Sequence, residues 1–566
     1  MCSVQHFLFY LVIVLRICYN NKRCGCTAMC TYISYLNVGR YIGMNSNTSG
    51  TLKRAERFQV VLIGEGILVG GIAGLTVLIY RIFLEYAGGW LHMILAYAKQ
   101  SPLRMAIWFL VLIFLAVIVG KLVDYEPLIS GSGIPQLEGE MTGKINQSWW
   151  KVLPTKFLGG FLCILGGLSL GREGPSIQLG AMAGKGISKG LDRGKTEEKF
   201  LLTCGASAGL SAAFHAPLAG VMFSLEEVHK NFSVSVLISV MSASITADFL
   251  ASAVMGVDSV FEFDIIHALP REYYGFLLIL GAVLGVLGAF YNWFTLKVQS
   301  LYSRATFLNT TTKLMIPFLC AGILGFTMPE LLGSGHSVIE WLTSGENVML
   351  SMVLIILVGK FVFSAVCFGS GAPGGIFFPL LVLGGCIGGA FALIGVKYFG
   401  LDPMYVNNMV LLSMAGYFTA IVRAPLTGII LIFEMTGSVN QMLSLALVSI
   451  VAYIVATLLR SKPIYESLLE RLLEKRGEKV AEDHGQKILS DFVVMHGSEL
   501  VGKTISEIDW PNNCLLVAIQ REGEEIIPRG RTKLMPSDTI VTLTDERDSA
   551  NVYDKMEELC KCKFRT

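Results

Sequence analysis

Gly171-Arg172-Glu173-Gly174-Pro175 is the stretch on which the reading of this chain turns. Arg172 and Glu173 are the only charged residues between Lys156 and Lys185. An ionisable side chain at membrane depth costs roughly 2.5–3.5 kcal/mol on insertion scales, so such residues tend to face a cavity and carry function. Glycine on either side lets backbones approach closely, and a proline in the first helical turn gives up an N–H that would be unpaired anyway. The stretch therefore predicts a helix that begins at Pro175, with a glutamate just before its positive end.

Composition agrees with membrane depth. Of 566 residues 53% are hydrophobic and only 16% charged, and the mean hydropathy is +0.60. That excludes an ordinary soluble domain and predicts a polytopic membrane protein in a lipid bilayer. No Asp, Glu, Lys or Arg falls between Lys199 and Glu226, nor between Lys360 and Lys397. Each run exceeds the roughly 20 residues a helix needs to cross a bilayer. A net charge of +2 gives no reason to expect a nucleic-acid partner. The loop carrying Lys185, Lys189, Arg193, Lys195 and Lys199 faces the cytoplasm by the positive-inside tendency. Cys163, Cys204, Cys320, Cys367 and Cys386 sit singly in apolar runs and read as small buried hydrophobes. Cys24-Gly25-Cys26 and Cys560-Lys561-Cys562 lack the spacing and histidines of a zinc site, so neither a metal nor a cofactor is expected.

Four regions follow. Residues 1–56 read as an N-terminal extension of unknown role, too short in its apolar part (7–17) to span and upstream of a working start at Met44. Residues 57–475 read as the membrane domain. Its apolar segments lie near 58–85, 104–123, 152–170, 175–190, 200–213, 216–228, 233–255, 274–296, 314–329, 349–368, 379–395, 407–421, 425–436 and 441–459. Many are too short to span unless tilted, and non-helical backbone survives at membrane depth only where it is buried in protein or lines a watery path. Residues 476–487 are a polar linker. Residues 488–566 read as a small α/β domain with strands at 491–494, 515–519 and 539–543. Lacking an export signal, it is expected in the cytosol.

The membrane part repeats itself. Ala216-Pro217-Leu218-Ala219-Gly220, followed by an apolar run and Glu226, recurs 208 residues later as Ala424-Pro425-Leu426-Thr427-Gly428 and Glu434. Gly171–Pro175 with Gly180 recurs 204 residues later as Gly375-Ile376-Phe377-Phe378-Pro379 with Gly384. Matching Gly/Pro-interrupted segments in two halves point to a transporter whose site lies near the midplane between repeats. A helix N-terminus offers unpaired N–H groups and roughly half a positive charge, favouring an anion by about 0.3–1 kcal/mol, up to about 2 when partly buried. Pro175, Pro379 and Ser130-Gly131-Ser132-Gly133-Ile134-Pro135 mark three such ends, so an anion pathway follows from the physics. Glu226 and Glu434 read as structural, capping or paired residues.

Gly131-Ser132-Gly133-Ile134-Pro135, Gly171–Pro175 and Gly375-Ile376-Phe377-Phe378-Pro379, in this order, resemble the signature of the CLC family of chloride channels and chloride/proton exchangers. The resemblance covers 57–475. It implies an all-α polytopic membrane protein of inverted-repeat CLC architecture with broken and half-length helices, assembled as a homodimer in the cell membrane, each protomer with its own pore. It implies chloride and protons as the transported ions. Ser132 and Tyr465 would coordinate the central anion by their hydroxyls, and the amides of Ile376, Phe377 and those near Gly174 would complete the cage. Serine at position 132 is similar to chloride-selective members. Glu173 matches the gating glutamate, and Glu227 the inner acid that hands protons to the cytosolic side in exchangers. Lys156 matches a buried lysine, with Glu138 as the expected structural partner. Gln136 and His215 depart from common family residues, and neither is expected on the ion path.

The C-terminal stretch, with Gly502-Lys503-Thr504 and Ile526-Ile527-Pro528, resembles the C-terminal domain of RCK/TrkA-type regulators. This implies a small-molecule or nucleotide ligand such as a cyclic dinucleotide; a dimer-stabilising domain without ligand is the alternative. Two rival functions stand beside proton-coupled exchange. A passive voltage- or ligand-gated chloride channel shares the motifs. A serine hydrolase would use Gly167-Leu168-Ser169-Leu170-Gly171 or Gly205-Ala206-Ser207-Ala208-Gly209, but the nucleophile elbow needs a strand, a turn and a converging histidine and acid. Both copies lie in apolar helical segments, so no enzyme and no catalytic residue is expected.

Overall fold

Proline and glycine punctuate the membrane part, and the helices start and stop where they stand. The computed structural model describes residues 46–230, 232–256, 269–344, 348–437, 439–477, 487–521, 523–545 and 548–561. The expectations for residues 1–45 and for most of the 476–487 linker lie outside these. The chain divides into two compact units, Met1–Leu472 and Leu473–Thr566.

The first unit contains α1 (Ser46–Ala98), α2 (Pro102–Tyr125), α3 (Ile134–Met141), α4 (Trp149–Leu165), α5 (Glu173–Gly190), α6 (Lys195–Phe214), α7 (Pro217–Phe223) and α8 (Val234–Met255). It continues with α9 (Tyr274–Arg304), α10 (Thr310–Thr327), α11 (His336–Thr343), α12 (Leu350–Gly369), α13 (Phe377–Phe399), α14 (Val406–Val422), α15 (Pro425–Thr436), α16 (Met442–Leu458) and α17 (Ile464–Lys475), which crosses the unit boundary. Among the described residues 8 helices are long and apolar enough to cross a membrane. Of the others, α3, α7, α11 and α15 are half-length or shorter, and α2, α3, α7 and α15 each carry a proline in their first two positions. There the ring replaces an N–H that has no intrahelical acceptor.

Helices lie over every apolar segment expected from the sequence, with α1 running from Ser46 through the boundary placed at residue 56. Helix α3 follows the helix start read at Ser130–Pro135, whereas the equally short α11 was not anticipated. Helix α5 starts at Glu173 and α13 at Phe377, each two residues before the proline that was read as its start. Any of the first four N–H groups can be dispensed with, so a proline inside the first turn is as well tolerated as one at its head. After α7 the chain passes through a π-helical turn, Ser224–His229, that carries both Glu226 and Glu227.

The two halves repeat in conformation as well as in sequence. A 3₁₀ turn at Pro127–Ile129, left-handed Gly131 and Gly133 (φ 70° and 94°) and the eight-residue α3 have as mates a 3₁₀ turn at Pro329–Leu331, left-handed Gly333 and Gly335 (φ 59° and 96°) and the eight-residue α11. Helix α5 packs on α6 through Gly180 and Gly205, each without room for a Cβ against the other's backbone. Its mate α13 packs on α14 through Gly384, where a Cβ would lie 2.9 Å from Ser413 O. Small residues at such seams let helices approach where no water-driven force operates between them.

The second unit is a four-stranded antiparallel sheet in the order β1 (Lys487–Val493), β4 (Thr539–Asp545), β2 (Cys514–Arg521), β3 (Glu524–Ile526), with α18 (Ser549–Cys560) closing its core. Phe492, Ile519, Ile540, Val552 and Met556 fill that core. Val517 bulges out of the β2–β4 register. Asp538, just before β4, accepts from Arg521 Nε and Nη2 at 2.8 Å and from the Met535 amide at 2.7 Å.

A candidate ion pathway where three glycine loops meet

Three loops remote in sequence are joined by main-chain bonds. Gly171 and Gly375 exchange N–H···O bonds of 2.7 and 2.8 Å, while the Gly131 amide donates to Ala372 O (3.2 Å) and the Gly374 amide to Gly131 O (3.0 Å). Gly174 abuts Ser132: a Cβ there would lie 2.7 Å from Ser132 O and 2.9 Å from Ser132 Cβ, both too close. Helices α3, α5 and α13 therefore all begin at one junction, each bringing N–H groups without intrahelical acceptors.

Glu173 sits in that junction with 0% of its surface exposed. Among the described residues neither carboxylate oxygen has a hydrogen-bond partner of ordinary geometry, and Arg172 Nε stands 3.9 Å from Oε1. The amides of Arg172, Glu173 itself and Phe378 face the carboxylate. A negative group is thus held against converging helix ends, in a place suited to a free monovalent anion. Ser132 is buried beside it, its hydroxyl accepting the Ile134 amide at 3.3 Å. Ile376 and Phe377 cap and open α13, and the Phe377 ring packs against Phe418, Phe214 and Phe223 at 4.8, 5.5 and 6.0 Å between centroids.

Tyr465, second residue of α17, is fully buried and its hydroxyl has no hydrogen-bond partner among the described residues. Leaving such a group unpaired costs about 1–3 kcal/mol, so a buried hydroxyl of this kind calls for an explanation. It lies within electrostatic reach of Glu227, Tyr291 and Glu173. Glu227 is buried in the π turn, near Glu138, Lys230, Glu226 and Glu466. A π turn is a frequent device at functional sites.

The expected pair of Glu138 with Lys156 is not formed. Lys156 Nζ donates to Ile129 O (2.8 Å) and Gly131 O (2.6 Å), whereas Glu138 pairs with Lys230. Carbonyls at the end of a 3₁₀ turn have no partner in the turn, so a buried ammonium satisfies them and is satisfied in return. The second half repeats the device: Lys360, 204 residues on, donates to Leu331 O, Leu332 O and Gly333 O at 3.1, 3.2 and 2.8 Å. This lysine and Gly333-Ser334-Gly335 escaped the sequence reading. The signal was present as a second Gly-Ser-Gly and a second lone lysine at nearly the offset of the other motifs.

A cavity of 520 Å³ opens on the junction, lined among others by Arg81, Arg172, His215, His336 and Phe378. His215 thus lies on the approach to the site, contrary to expectation, its Nδ1 3.4 Å from Asp248 Oδ1. Glu65 in α1 pairs with Arg193 of the basic loop. Arg81 stands 16 residues further along the same helix, about 24 Å at 1.5 Å per residue, so the cavity opens on the side opposite that loop. Ser169 and Ser207, the serines of the hydrolase-like patterns, are fully buried.

Paired halves, broken helices and helix ends converging on a buried acid define a membrane transport protein built from two structural repeats. Residues 112–457 match the family model described as voltage gated chloride channel, and residues 489–556 match the TrkA-C domain. The chain belongs to the voltage-gated chloride channel, or CLC, family and is a multi-pass membrane protein with a C-terminal domain of the cytosolic TrkA-C type. It is 37% identical over 431 residues to the H(+)/Cl(-) exchange transporter ClcA of Vibrio cholerae serotype O1 (strain M66-2), covering 74% of this chain and 91% of that one. Among solved structures it is similar to a slow cyanobacterial Cl-/H+ antiporter (30% identity, TM-score 0.70), covering 74% of this chain and 99% of that one. A eukaryotic CLC transporter shares the fold at 18% identity, TM-score 0.61 and 90% coverage of each chain.

Proposed function

We propose that the chain exchanges chloride for protons across the cell membrane as a homodimer, with Glu173 as the moving, protonatable gate and Glu227 as the inner proton-transfer acid. The observation that carries this reading is the Glu173 carboxylate, fully buried against the helix ends at Arg172–Glu173 and Phe378. As an anion it fills a place a chloride would take; once protonated it loses the attraction to those N–H groups and leaves the place to chloride. Competition of proton and anion for one position is the physical basis of exchange. Ser132, Tyr465 and the amides of Gly174, Ile376 and Phe377 then hold the central chloride, the buried Tyr465 hydroxyl supplying a donor that the protein leaves unused. Two of the relatives described above, the Vibrio cholerae transporter and the cyanobacterial antiporter, carry H+/Cl- exchange in their names.

The test is purified protein in sealed vesicles with a chloride gradient and no initial pH gradient. Uphill proton movement driven by chloride is the expected result. Chloride flux without proton movement would make the protein a passive channel instead. By its similarity to TrkA-C modules, the C-terminal domain reads as a sensor of a small cytosolic molecule. Transport assayed against a panel of nucleotides, cyclic dinucleotides included, tests it, and indifference to all of them would leave a dimer-stabilising role.

A further inference from the structure

The outer cavity carries one feature that the two halves do not share. After the left-handed glycine pair the first half continues with Ile134 and the second with His336, so the repeat sets an imidazole where its mate has an aliphatic chain. The His336 ring lies over Phe378, centroids 6.0 Å apart and planes inclined by 18°. Phe378 is the residue whose amide faces the Glu173 carboxylate. His336 Nδ1 is 3.2 Å from Glu340 Oε1, one turn along α11, and its side chain is 39% exposed, so water reaches it.

The other titratable groups that line this cavity are Glu85, His92, His215 and Glu340, beside the guanidinium groups of Arg81 and Arg172. From α1, Glu85 stands 3.4 Å from Arg81 and 3.8 Å from Arg172, and His92 lies further along the same helix. His215 faces Asp248. Beneath Gly335 the Lys360 ammonium is tied to three carbonyls. Guanidinium groups do not release protons in water, whereas an imidazole does so around neutrality.

We propose that His336 is the outer proton relay of the exchange cycle, an inference that rests on Glu173 being the gate. When the Glu173 side chain turns toward the cavity, the imidazolium N–H gives its proton to a carboxylate oxygen, which becomes C–O–H. The neutral imidazole then takes the next proton from hydronium or buffer acid in the cavity. On the return stroke the same two transfers run backward.

The experiment compares the wild type with His336→Asn and His336→Ile, the latter copying the first half, in vesicles whose external pH is varied from about 7.5 to about 4.5 around the imidazole range. The expected result is proton-coupled turnover about tenfold slower near pH 7, converging on the wild type near pH 4.5, where hydronium reaches the acid unaided. The proton-to-chloride ratio stays unchanged. A pH profile identical to the wild type, or an equal loss at every pH, overturns the relay. Glu173→Gln and Glu173→Gln/His336→Asn complete the set. With the gate unable to ionise, the histidine has no proton to pass, so both carry the same chloride flux; a slower double variant puts His336 on the anion path and overturns the proposal. If Glu173→Gln still moves protons, it is the gate reading that fails.

Discussion

Glu226 and Glu434 each cap a helix in the opposite half of the chain. Glu434 accepts the amides of Leu218 (2.9 Å) and Ala219 (2.7 Å) at the start of α7. Glu226 accepts those of Leu426 (3.3 Å) and Thr427 (2.8 Å) at the start of α15, and the Thr427 hydroxyl at 2.7 Å. Two carboxylates related by the repeat thus lock the halves together and neutralise the positive ends of two prolyl half-helices.

Glu434→Ala is expected to leave two amides without their acceptor and to lower stability by about 2–3 kcal/mol, from charge-assisted bonds of about 1.5–3 kcal/mol each partly replaced by water. Glu434→Gln, which keeps the shape and an acceptor, should lose about half of that. Thermal unfolding in detergent, read at matched protein concentration, measures both; a smaller loss for the alanine than for the glutamine sinks the capping account.

Glu173→Gln is expected to carry chloride without coupled protons, since a neutral amide cannot compete as an anion for the helix ends. Simultaneous chloride and pH recording on vesicles measures the ratio. Proton pumping at the normal ratio in this variant excludes Glu173 as the gate.

Glu227→Gln should also abolish proton flux while keeping chloride flux, but by a different route, because the acid lies among Glu138, Lys230 and Glu466 rather than at the helix ends. Chloride transport in this variant should stay dependent on external pH, as Glu173 still titrates from the other side. Loss of that dependence would merge the two acids into one role.

Lys360→Met is expected to destabilise by about 2–4 kcal/mol, since the carbonyls of Leu331, Leu332 and Gly333 each lose a buried donor. Lys156→Met, with two such carbonyls, should cost somewhat less. Equal stability of both variants and the wild type would show that water replaces the ammonium without penalty.

In the second unit, burial alone would push the Asp538 carboxyl up, but the bonds from Arg521 and the Met535 amide outweigh it and hold the group below the ordinary carboxylate range. The stabilisation is therefore complete above the ordinary carboxylate pKa, near 4, and is lost as pH falls below it through the lowered folded value. Asp538→Asn should reduce hydrogen-exchange protection of β4 at neutral pH by about 2 kcal/mol and remove most of its decline in acid. A variant as acid-sensitive as the wild type would refute the assignment.

Much of this was legible in the sequence because the physics is local. Glycine and proline punctuation, isolated charges in apolar runs and two motifs recurring at nearly one spacing placed most of the broken helices and singled out Glu173, whereas Ser132 and Tyr465 were named through the resemblance to the CLC family. The Glu138–Lys156 pairing failed for an equally physical reason. Complementary charges in a sequence suggest partners, yet a buried ammonium is satisfied as well by carbonyls that a 3₁₀ turn leaves unbonded, and only the fold brings those carbonyls to Lys156.

The amino-acid order by itself determined the class of protein, its repeat and the acid at its centre, since apolarity, helix breaking and the cost of an isolated charge act within a segment. Tertiary structure alone decided which helix ends converge, that Glu173 reaches the amide of a residue some 200 positions away, that Glu226 and Glu434 exchange halves, and that the His336 imidazole overlies Phe378. Those contacts depend on how two halves close around each other, and no residue's own neighbours in the chain encode that closure.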